Sequence, residues 1–400
     1  MNASASLVAR SVAKVTANLS QFFHHPLALA TGLTFTADSM MFGSWVAHIP
    51  HVKTELGMNN AQLGLALFGM PIGLLAMNPF AAGFIARFGL ARTTVGATLA
   101  MAVTFALPVW MPDRWMLMLA LALVGFSVAL MNVAMNTCAT HIEKAEGIYI
   151  MSSCHGMWSL GGMAGSATAA ALIALHVEPR AHLGVLALLI VLLTWLWLRP
   201  ALARVPDGPA DAEEAGSRFI LPNRDLLLMI FIGLVVSLGE GVAFDWSAVY
   251  LRDALGAREQ VAALGFTFFS LTMMAMRFTG DVLIPRFGER NLLLFSALLT
   301  VFALTVIILA FNPITGILGF LLLGAGVALG APILFNAAAR VPGLAPGAGL
   351  ATYATFSFVG FLAGPPAIGF VGEHWGLPVG FAAVAGLAVL AIAAIRKVQL

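Results

Sequence analysis

The stretch that decides the fold is residues 115–139, which read WMLMLALALVGFSVALMNVAMNTCA and contain no charged side chain. A helix needs about 20 apolar residues to cross the hydrocarbon core of a bilayer, so this segment is long enough to span one. The rest of the chain is similar, since 60% of its 400 residues are hydrophobic and only 10% are charged. A soluble domain carries about 25% charged residues. The composition therefore indicates a membrane protein.

The composition also argues against other classes. Disordered chains are poor in apolar residues, and a net charge of +2 creates no field that would attract nucleic acid. The cysteines Cys138 and Cys154 belong to no CxxC motif, so we expect neither a metal site nor a disulfide framework. The sequence contains no GxxxxGK[ST], HExxH or GxSxG motif. We therefore expect no cofactor and no enzymatic activity.

Hydropathy predicts twelve transmembrane helices. They cover about 27–49, 61–85, 93–112, 115–139, 150–176, 183–198, 226–250, 261–283, 291–312, 315–337, 348–371 and 377–395. The connections are short except for one, which is rich in proline, glycine and charged residues. We predict an all-α polytopic membrane protein with a tail at 1–25, six-helix bundles at 26–198 and 226–400, and a linker at 199–225.

The distribution of basic residues predicts the orientation. If the N-terminus is cytoplasmic, 14 Lys and Arg residues lie on the cytoplasmic side and five on the other, and Arg277 lies within a span. Both termini are therefore predicted to be cytoplasmic. Residues 1–25 are basic and lack a small-residue cleavage site after a short apolar core, so we expect a tail with an interfacial helix. The excess of arginine over lysine, with abundant alanine and glycine, favours a bacterial source and hence the inner membrane.

The two halves contain a weak internal repeat. Leu56-Gly57 matches Leu255-Gly256 at an offset of 199 residues, and Arg87-Phe88-Gly89 matches Arg286-Phe287-Gly288 at the same offset. The Leu-Gly motif follows the first span of each half, and the Arg-Phe-Gly motif follows the second. Equal offsets at equivalent positions indicate a parallel 6+6 repeat, which is one way in which secondary transporters are built.

One of these repeats resembles a family signature. Residues 83–92, GFIARFGLAR, resemble the loop 2–3 signature of the major facilitator superfamily, although the signature's aspartate is missing and the segment is one residue shorter. The second copy begins at Gly280-Asp281 and has Pro285 where an acid is expected. Residues 240–252 and 155–162 resemble the fucose-permease-like branch. This resemblance implies alternating access by a monomer, usually driven by a proton gradient.

Two acidic residues lie near the midpoints of spans 1 and 7, Asp38 and Glu240. A charge at the centre of a membrane helix costs about 2.5–3.5 kcal/mol, so each must face a cavity, be protonated or have a partner. We predict that they couple transport to protons, with sodium as another possible ion. The alternative is that they only form hydrogen bonds between helices. By resemblance to the fucose permease, Asp38 corresponds to its span-1 acid, and Asn132 stands where its span-4 acid would be.

Other polar residues within the spans are candidates for substrate binding or gating. Amides, a histidine and an aromatic ring suit a hydroxyl-rich solute, although each can equally serve helix packing. The candidates for substrate contact are Asn132, Asn136, His155, Trp158 and Asn336. The candidates for gating are Asp245, Arg277, Asp281, Arg87 and Arg286. Arg277 and Asp281 are four residues apart, so we expect them to pair along one helix face, whereas Asp245 and Glu240 should not share a face.

These observations predict a secondary transporter. The first hypothesis is proton-coupled symport of a small polar solute, such as a sugar or related metabolite, by a protein whose partners are that solute, protons and the lipid bilayer. The second is a proton-coupled exporter of drugs or metabolites. A membrane enzyme or a sensor is the third, but neither a catalytic motif nor a soluble domain supports it.

Overall fold

The computed structural model describes residues 20–206, 221–341 and 348–399, and within these ranges the chain forms twelve long helical segments and no strand. The segments are α1 (Pro26–Glu55), α2 (Asn60–Phe88), α3 (Leu90–Phe105), α4 (Arg114–Glu146), α5 (Met151–Ala174), α6 (Pro179–Leu202), α7 (Arg224–Asp253), α8 (Glu259–Phe287), α9 (Glu289–Ile308), α10 (Pro313–Ala339), α11 (Ala348–Trp375) and α12 (Leu377–Lys397). The all-α, polytopic class predicted from the sequence is confirmed.

Among the described residues, eleven of these helices, α2 to α12, are both long and apolar enough to cross a membrane. The remaining one, α1, has 30 residues, which at 1.5 Å per residue is also long enough to span a bilayer. Its polar side chains lower its hydropathy. Six of them are buried inside the protein, namely Thr31, Thr34, Asp38, Ser39, Ser44 and His48.

The backbone repeats the internal symmetry of the sequence. Gly57 and Gly256 end their turns with φ angles of 60° and 68°. Gly89 and Gly288 begin α3 and α9 with φ angles of 81° and 78°. Residues other than glycine rarely adopt positive φ angles of this kind. The local backbone conformation therefore explains why both copies of each motif contain glycine. The two halves therefore have the same turns at the same offset.

The helices of the two halves also pack in the same order. In the first half α1 contacts α5, α2 contacts α4, and α3 contacts α6; the corresponding pairs in the second half are α7 with α11, α8 with α10, and α9 with α12. Small residues allow the backbones to approach closely. A β-carbon added to Gly43 of α1 would collide with the carbonyl oxygen of Gly162 in α5.

The halves meet through α5 and α8, α2 and α11, and α1 and α7. We call the end of the molecule that carries Lys53, Asn60, Asp253 and Glu373 the Lys53 face, and the opposite end the Arg87 face. On the Lys53 face, Lys53 Nζ lies 2.6 Å from Asp253 Oδ2, and the backbone N–H of Asn60 donates to Glu373 Oε2 at 2.9 Å. These contacts join the two halves on this face.

The predicted tail and linker fall largely outside the described residues, at 1–19 and 207–220. Phe22 is described and is only 1% exposed. Its ring packs against Gly32 of α1, so this residue lies inside the protein and not on the bilayer surface expected for an interfacial helix. The division into two bundles at 26–198 and 226–400 stays a prediction.

The central cavity as candidate functional site

A cavity of about 310 Å³ lies between the two halves, which is at the lower end of the range for small-molecule sites. Its walls come from α1, α2, α4, α5, α7, α8 and α11, with one residue of α3. Seven residues that the sequence singled out line it: Asp38, Asn132, His155, Trp158, Glu240, Asp245 and Arg277. The tertiary structure thus brings most of the candidate residues to one place.

Asp38 lies near the middle of α1 and is 4% exposed. Its Oδ2 atom accepts a hydrogen bond of 2.9 Å from Nε1 of Trp158 in α5. Its Oδ1 atom is buried and has no hydrogen-bond partner among the described residues. Because a buried carboxylate oxygen without a partner is costly, this atom is suited to bind a proton or a ligand.

Glu240 faces a cation from the same half. Its Oε1 atom lies 3.5 Å from Nη2 of Arg277 in α8. Arg277 also donates from Nη1 to Ser159 Oγ in α5 at 3.4 Å, and its guanidinium carbon lies 5.9 Å from the ring centroid of Trp158. A chain of contacts therefore runs from Asp38 through Trp158 and Arg277 to Glu240, across both halves.

The expected pairing of Arg277 with Asp281 stays a prediction. A separation of four residues permits such a pair, but the side chain of Arg277 lines the cavity and has Glu240 as its acidic neighbour. The side chain of Asp281 lies outside the described part of the chain. The acidic neighbour of Arg277 among the described side chains thus comes from another helix.

Asp245 lines the same cavity as Glu240. The two acids are about 140° apart around α7, so they lie on different sides of the helix, as expected. The cavity extends around the intervening side of α7, where Phe244 also lines it. The two acids thus line one cavity from different sides of α7, and the gating role of Asp245 stays a prediction.

Aromatic rings form much of the cavity wall. Phe42 and Trp158 are stacked with their centroids 6.3 Å apart, Phe42 and Phe244 meet edge-on at 5.2 Å, and Phe244 stacks with Phe361 at 6.4 Å. Sequence reasoning identified only Trp158 among these. The chain contains 28 phenylalanines, and no local pattern separates those that line the cavity from those that pack against neighbouring helices.

Two of the predicted substrate-binding amides do not line the cavity. Asn136 donates from Nδ2 to the carbonyl oxygen of Asn132 at 2.8 Å, one turn earlier on α4. Asn336 is on α10, which supplies no lining residue among those described. Its carbonyl oxygen accepts from Arg340 at 3.1 Å. Both asparagines thus take part in contacts within their own helices.

The residues predicted for gating at the Arg87 face lie at helix ends. Arg87 and Arg286 are exposed, and each guanidinium lies over the neighbouring ring, at 5.6 Å from Phe88 and 5.2 Å from Phe287. Neither lines the cavity. Sequence reasoning missed the ion pairs of the Lys53 face, although Lys53 and Arg252 are repeat equivalents at an offset of 199 residues.

The described residues contain no group of three His, Cys, Asp or Glu side chains that could hold a metal ion. Cys138 and Cys154 are buried, free thiols. Two buried histidines, His48 of α1 and His182 of α6, form a hydrogen bond of 2.8 Å outside the cavity lining. The polar chemistry of the cavity is therefore that of three carboxylates, one guanidinium, one imidazole and the two amides of Asn78 and Asn132.

An all-helical membrane protein with two repeated halves around a central polar and aromatic cavity has the architecture of a secondary transporter. The model of the Major Facilitator Superfamily matches residues 27–342 and, in a second and overlapping match, residues 229–398. The chain belongs to the major facilitator superfamily, whose members found in these comparisons are membrane transporters and not enzymes.

Two bacterial relatives are similar over most of their length. An uncharacterised transporter of this superfamily from Yersinia pestis is 31% identical over 371 residues, covering 92% of this chain and 95% of the relative. The membrane protein MosC of Rhizobium meliloti is 30% identical over 348 residues, covering 87% of this chain and 84% of the relative.

Solved structures share the fold at low sequence identity. A mutant of the nucleoside transporter NupG has a TM-score of 0.74 and 12% identity, covering 92% of this chain and 99% of that one. A D-xylose-proton symporter has a TM-score of 0.71 and 16% identity, covering 93% and 98%. The Escherichia coli fucose:proton symporter FucP has a TM-score of 0.63 and 16% identity, covering 95% and 100%. These similarities establish the fold and leave the substrate open.

Proposed function

We propose that this transporter moves a small polar solute by alternating access, in symport with protons that Asp38 and Glu240 bind and release. The observation that carries the proposal is the placement of both acids on one cavity between the halves. Asp38 has an unpaired buried oxygen there. Glu240 forms an ion pair with Arg277 when it is ionised, and proton uptake by Glu240 would release the guanidinium from that pair.

The contacts across the Lys53 face support the assignment of this conformation to one state of the transport cycle. The distribution of basic residues predicts that this face lies on the periplasmic side of a bacterial inner membrane. A β-carbon added to Gly64 of α2 would overlap the carbonyl oxygen of Pro365 in α11, so the halves are in backbone contact there. We infer that the structure represents the half of the cycle in which the cavity is closed to the periplasm.

The fold neighbours add circumstantial support. Two of the similar structures are described as proton symporters of D-xylose and fucose, and a third is described as a nucleoside transporter. Each solute is small and polar. Their identity to this chain is at most 16% in these comparisons, so the coupling ion and the substrate are proposed here from the cavity itself.

Proton-coupled export is the second candidate, and the aromatic wall of the cavity favours it. Phe42, Trp158, Phe244 and Phe361 offer contact to flat or apolar compounds. Symport and antiport differ in the sign of proton movement. A solute that carries protons with it acidifies the compartment that it enters, whereas an antiported solute removes protons from that compartment.

The test is proton flux in proteoliposomes that contain a pH-sensitive dye. The wild-type protein is screened with sugars, sugar acids and common toxic compounds, in sodium-free buffer and again with sodium. We expect a solute-dependent proton signal without sodium, and we expect Asp38→Asn and Glu240→Gln each to abolish it. Asp113→Asn is the matched control, because Asp113 caps α4 outside the cavity and asparagine caps a helix equally well.

Two results would contradict the proposal. One is wild-type proton-driven uptake by both cavity variants, which would reduce the two acids to packing roles. The other is a signal that requires sodium, which would replace the proton as the coupling ion. Retention of the signal by Asp113→Asn is required for either reading, since it shows that an acid-to-amide change elsewhere is tolerated.

A further inference from the structure

Asp245 differs from the other two acids of the cavity in its contacts. Asp38 accepts a hydrogen bond from Trp158, and Glu240 lies beside Arg277. For Asp245 the described residues supply neither a hydrogen bond nor an ion pair, although its side chain lines the cavity. A carboxylate kept without a protein partner at this position is available to a ligand.

Negative charges outnumber positive charges around the cavity. Three carboxylates, those of Asp38, Glu240 and Asp245, oppose one guanidinium, that of Arg277, which gives a formal charge of −2 with His155 neutral. Uptake of a proton by Asp38 leaves −1, and uptake of a second proton by Glu240 leaves Asp245 and Arg277 as the two charges of the cavity. The proposed mechanism assigns no proton to Asp245, so its carboxylate is the one left for the solute.

The surrounding walls suit a cation. The rings of Phe42, Trp158, Phe244 and Phe361 line the cavity, and the face of an aromatic ring attracts a positive charge within about 6 Å of its centroid. Trp158 already has a cation at that distance, since the guanidinium carbon of Arg277 lies 5.9 Å from its centroid. A carboxylate among aromatic faces is an arrangement that holds ammonium groups.

We infer that the solute is an organic cation. Asp245 binds its ammonium group, and the aromatic rings contact the carbon atoms around that group. This inference rests on the proposed function and names its substrate class. An anionic solute fits the cavity poorly. Arg277 is already 3.5 Å from Glu240 and bonded to Ser159, and an anion would meet the unpaired carboxylate of Asp245.

The test uses pairs of probes that differ in charge and little else. Choline is compared with 3,3-dimethylbutan-1-ol, which has the same shape without the charge, and D-glucosamine with D-glucose. Binding to the purified full-length protein is followed by tryptophan fluorescence and by the melting temperature. We expect at least one charged probe to bind about tenfold or more tightly than its neutral partner.

Variants assign the effect to Asp245. Asp245→Asn should weaken binding of D-glucosamine by about tenfold to a hundredfold, the range for a hydrogen bond to a charged group. It should weaken binding of choline, whose quaternary ammonium has no N–H, through loss of the opposite charge, and should leave both neutral partners unchanged. Asp245→Glu keeps the charge and should restore much of the affinity. Asp113→Asn serves as the control, and the melting temperature of each variant without probe shows that it is folded.

The inference is overturned if neither charged probe binds more tightly than its neutral partner, or if Asp245→Asn leaves the binding of choline and D-glucosamine unchanged. These outcomes are distinct from failure of the proposed function. Proton movement driven by a neutral solute would keep the symporter and reject the cationic substrate. Binding of choline through Asp245 without any coupled proton movement would keep the cationic site and reject proton coupling.

Discussion

At the scale of single residues, the central feature is the contact between Arg277 and Glu240. The two side chains are 19% and 11% exposed, so each charge depends on the other. Removing one partner of a buried ion pair leaves an uncompensated charge and is strongly destabilising, whereas replacing both with neutral groups is often tolerated. Comparing the stability of the single and double variants therefore shows whether the two charges stabilise each other or only lie close together.

We expect Arg277→Ala to lower the free energy of unfolding by about 1–3 kcal/mol, because it leaves the carboxyl group of Glu240 without its cation. The double variant Arg277→Gln with Glu240→Gln should recover most of that loss. Unfolding can be followed in detergent with a thiol-reactive dye, since Cys138 and Cys154 are buried in the folded protein. Equal losses in the single and double variants would show that the two residues are not coupled.

At the scale of helices, the contact of α2 with α11 joins the halves through backbone atoms. A β-carbon on Gly64 would overlap the carbonyl oxygen of Pro365, and one on Gly369 would lie 2.6 Å from the carbonyl oxygen of Asn60. An approach this close depends on glycine in both helices. Gly83, later in α2, has open space around the position of a β-carbon.

Gly64→Ala should therefore push α2 and α11 apart at the Lys53 face, while Gly83→Ala should have no such effect. The distance between spin labels at positions 54 and 374, one in each half, measures the change by pulsed electron resonance after Cys138 and Cys154 are replaced by serine. Thr54 and His374 are exposed. An unchanged distance in Gly64→Ala would mean that this contact does not hold the halves together.

At the scale of the whole molecule, an ion pair joins the halves at the Lys53 face. Lys53 Nζ lies 2.6 Å from Asp253 Oδ2, and the two side chains are 12% and 31% exposed. Arg252 also contacts Asp253, at 2.7 Å, and its guanidinium bonds the carbonyl oxygen of Pro50 in the other half. Partly exposed pairs of this kind contribute about 1 kcal/mol or less each.

We expect Lys53→Met to shift the equilibrium about fivefold toward the state that is open at the Lys53 face, the factor that corresponds to about 1 kcal/mol. Exchanging the charges, with Lys53→Asp and Asp253→Lys together, should reverse much of the shift. The spin-label pair at positions 54 and 374 reports the population of each state. If neither Lys53→Met nor the charge exchange changed the population of the two states, this ion pair would have no role in gating.

The sequence by itself determined the membrane class, the helices and the internal repeat. Hydropathy is a property of each segment, and the glycines at 57, 89, 256 and 288 are fixed by local backbone angles, so neither depends on distant contacts. It also indicated Asp38, Glu240 and Arg277, because charges within membrane helices are rare enough to stand out.

Only the tertiary structure decided which of these residues meet. The pairing of Arg277 with Glu240, the shared cavity of Glu240 and Asp245, and the placement of Asn336 away from it all depend on how each helix is rotated and which helix lies beside it. Helical spacing along one segment fixes a face but not its neighbour. The aromatic wall and the Lys53–Asp253 contact escaped prediction for the same reason, since they join residues distant in sequence that only the packing of the two halves brings together.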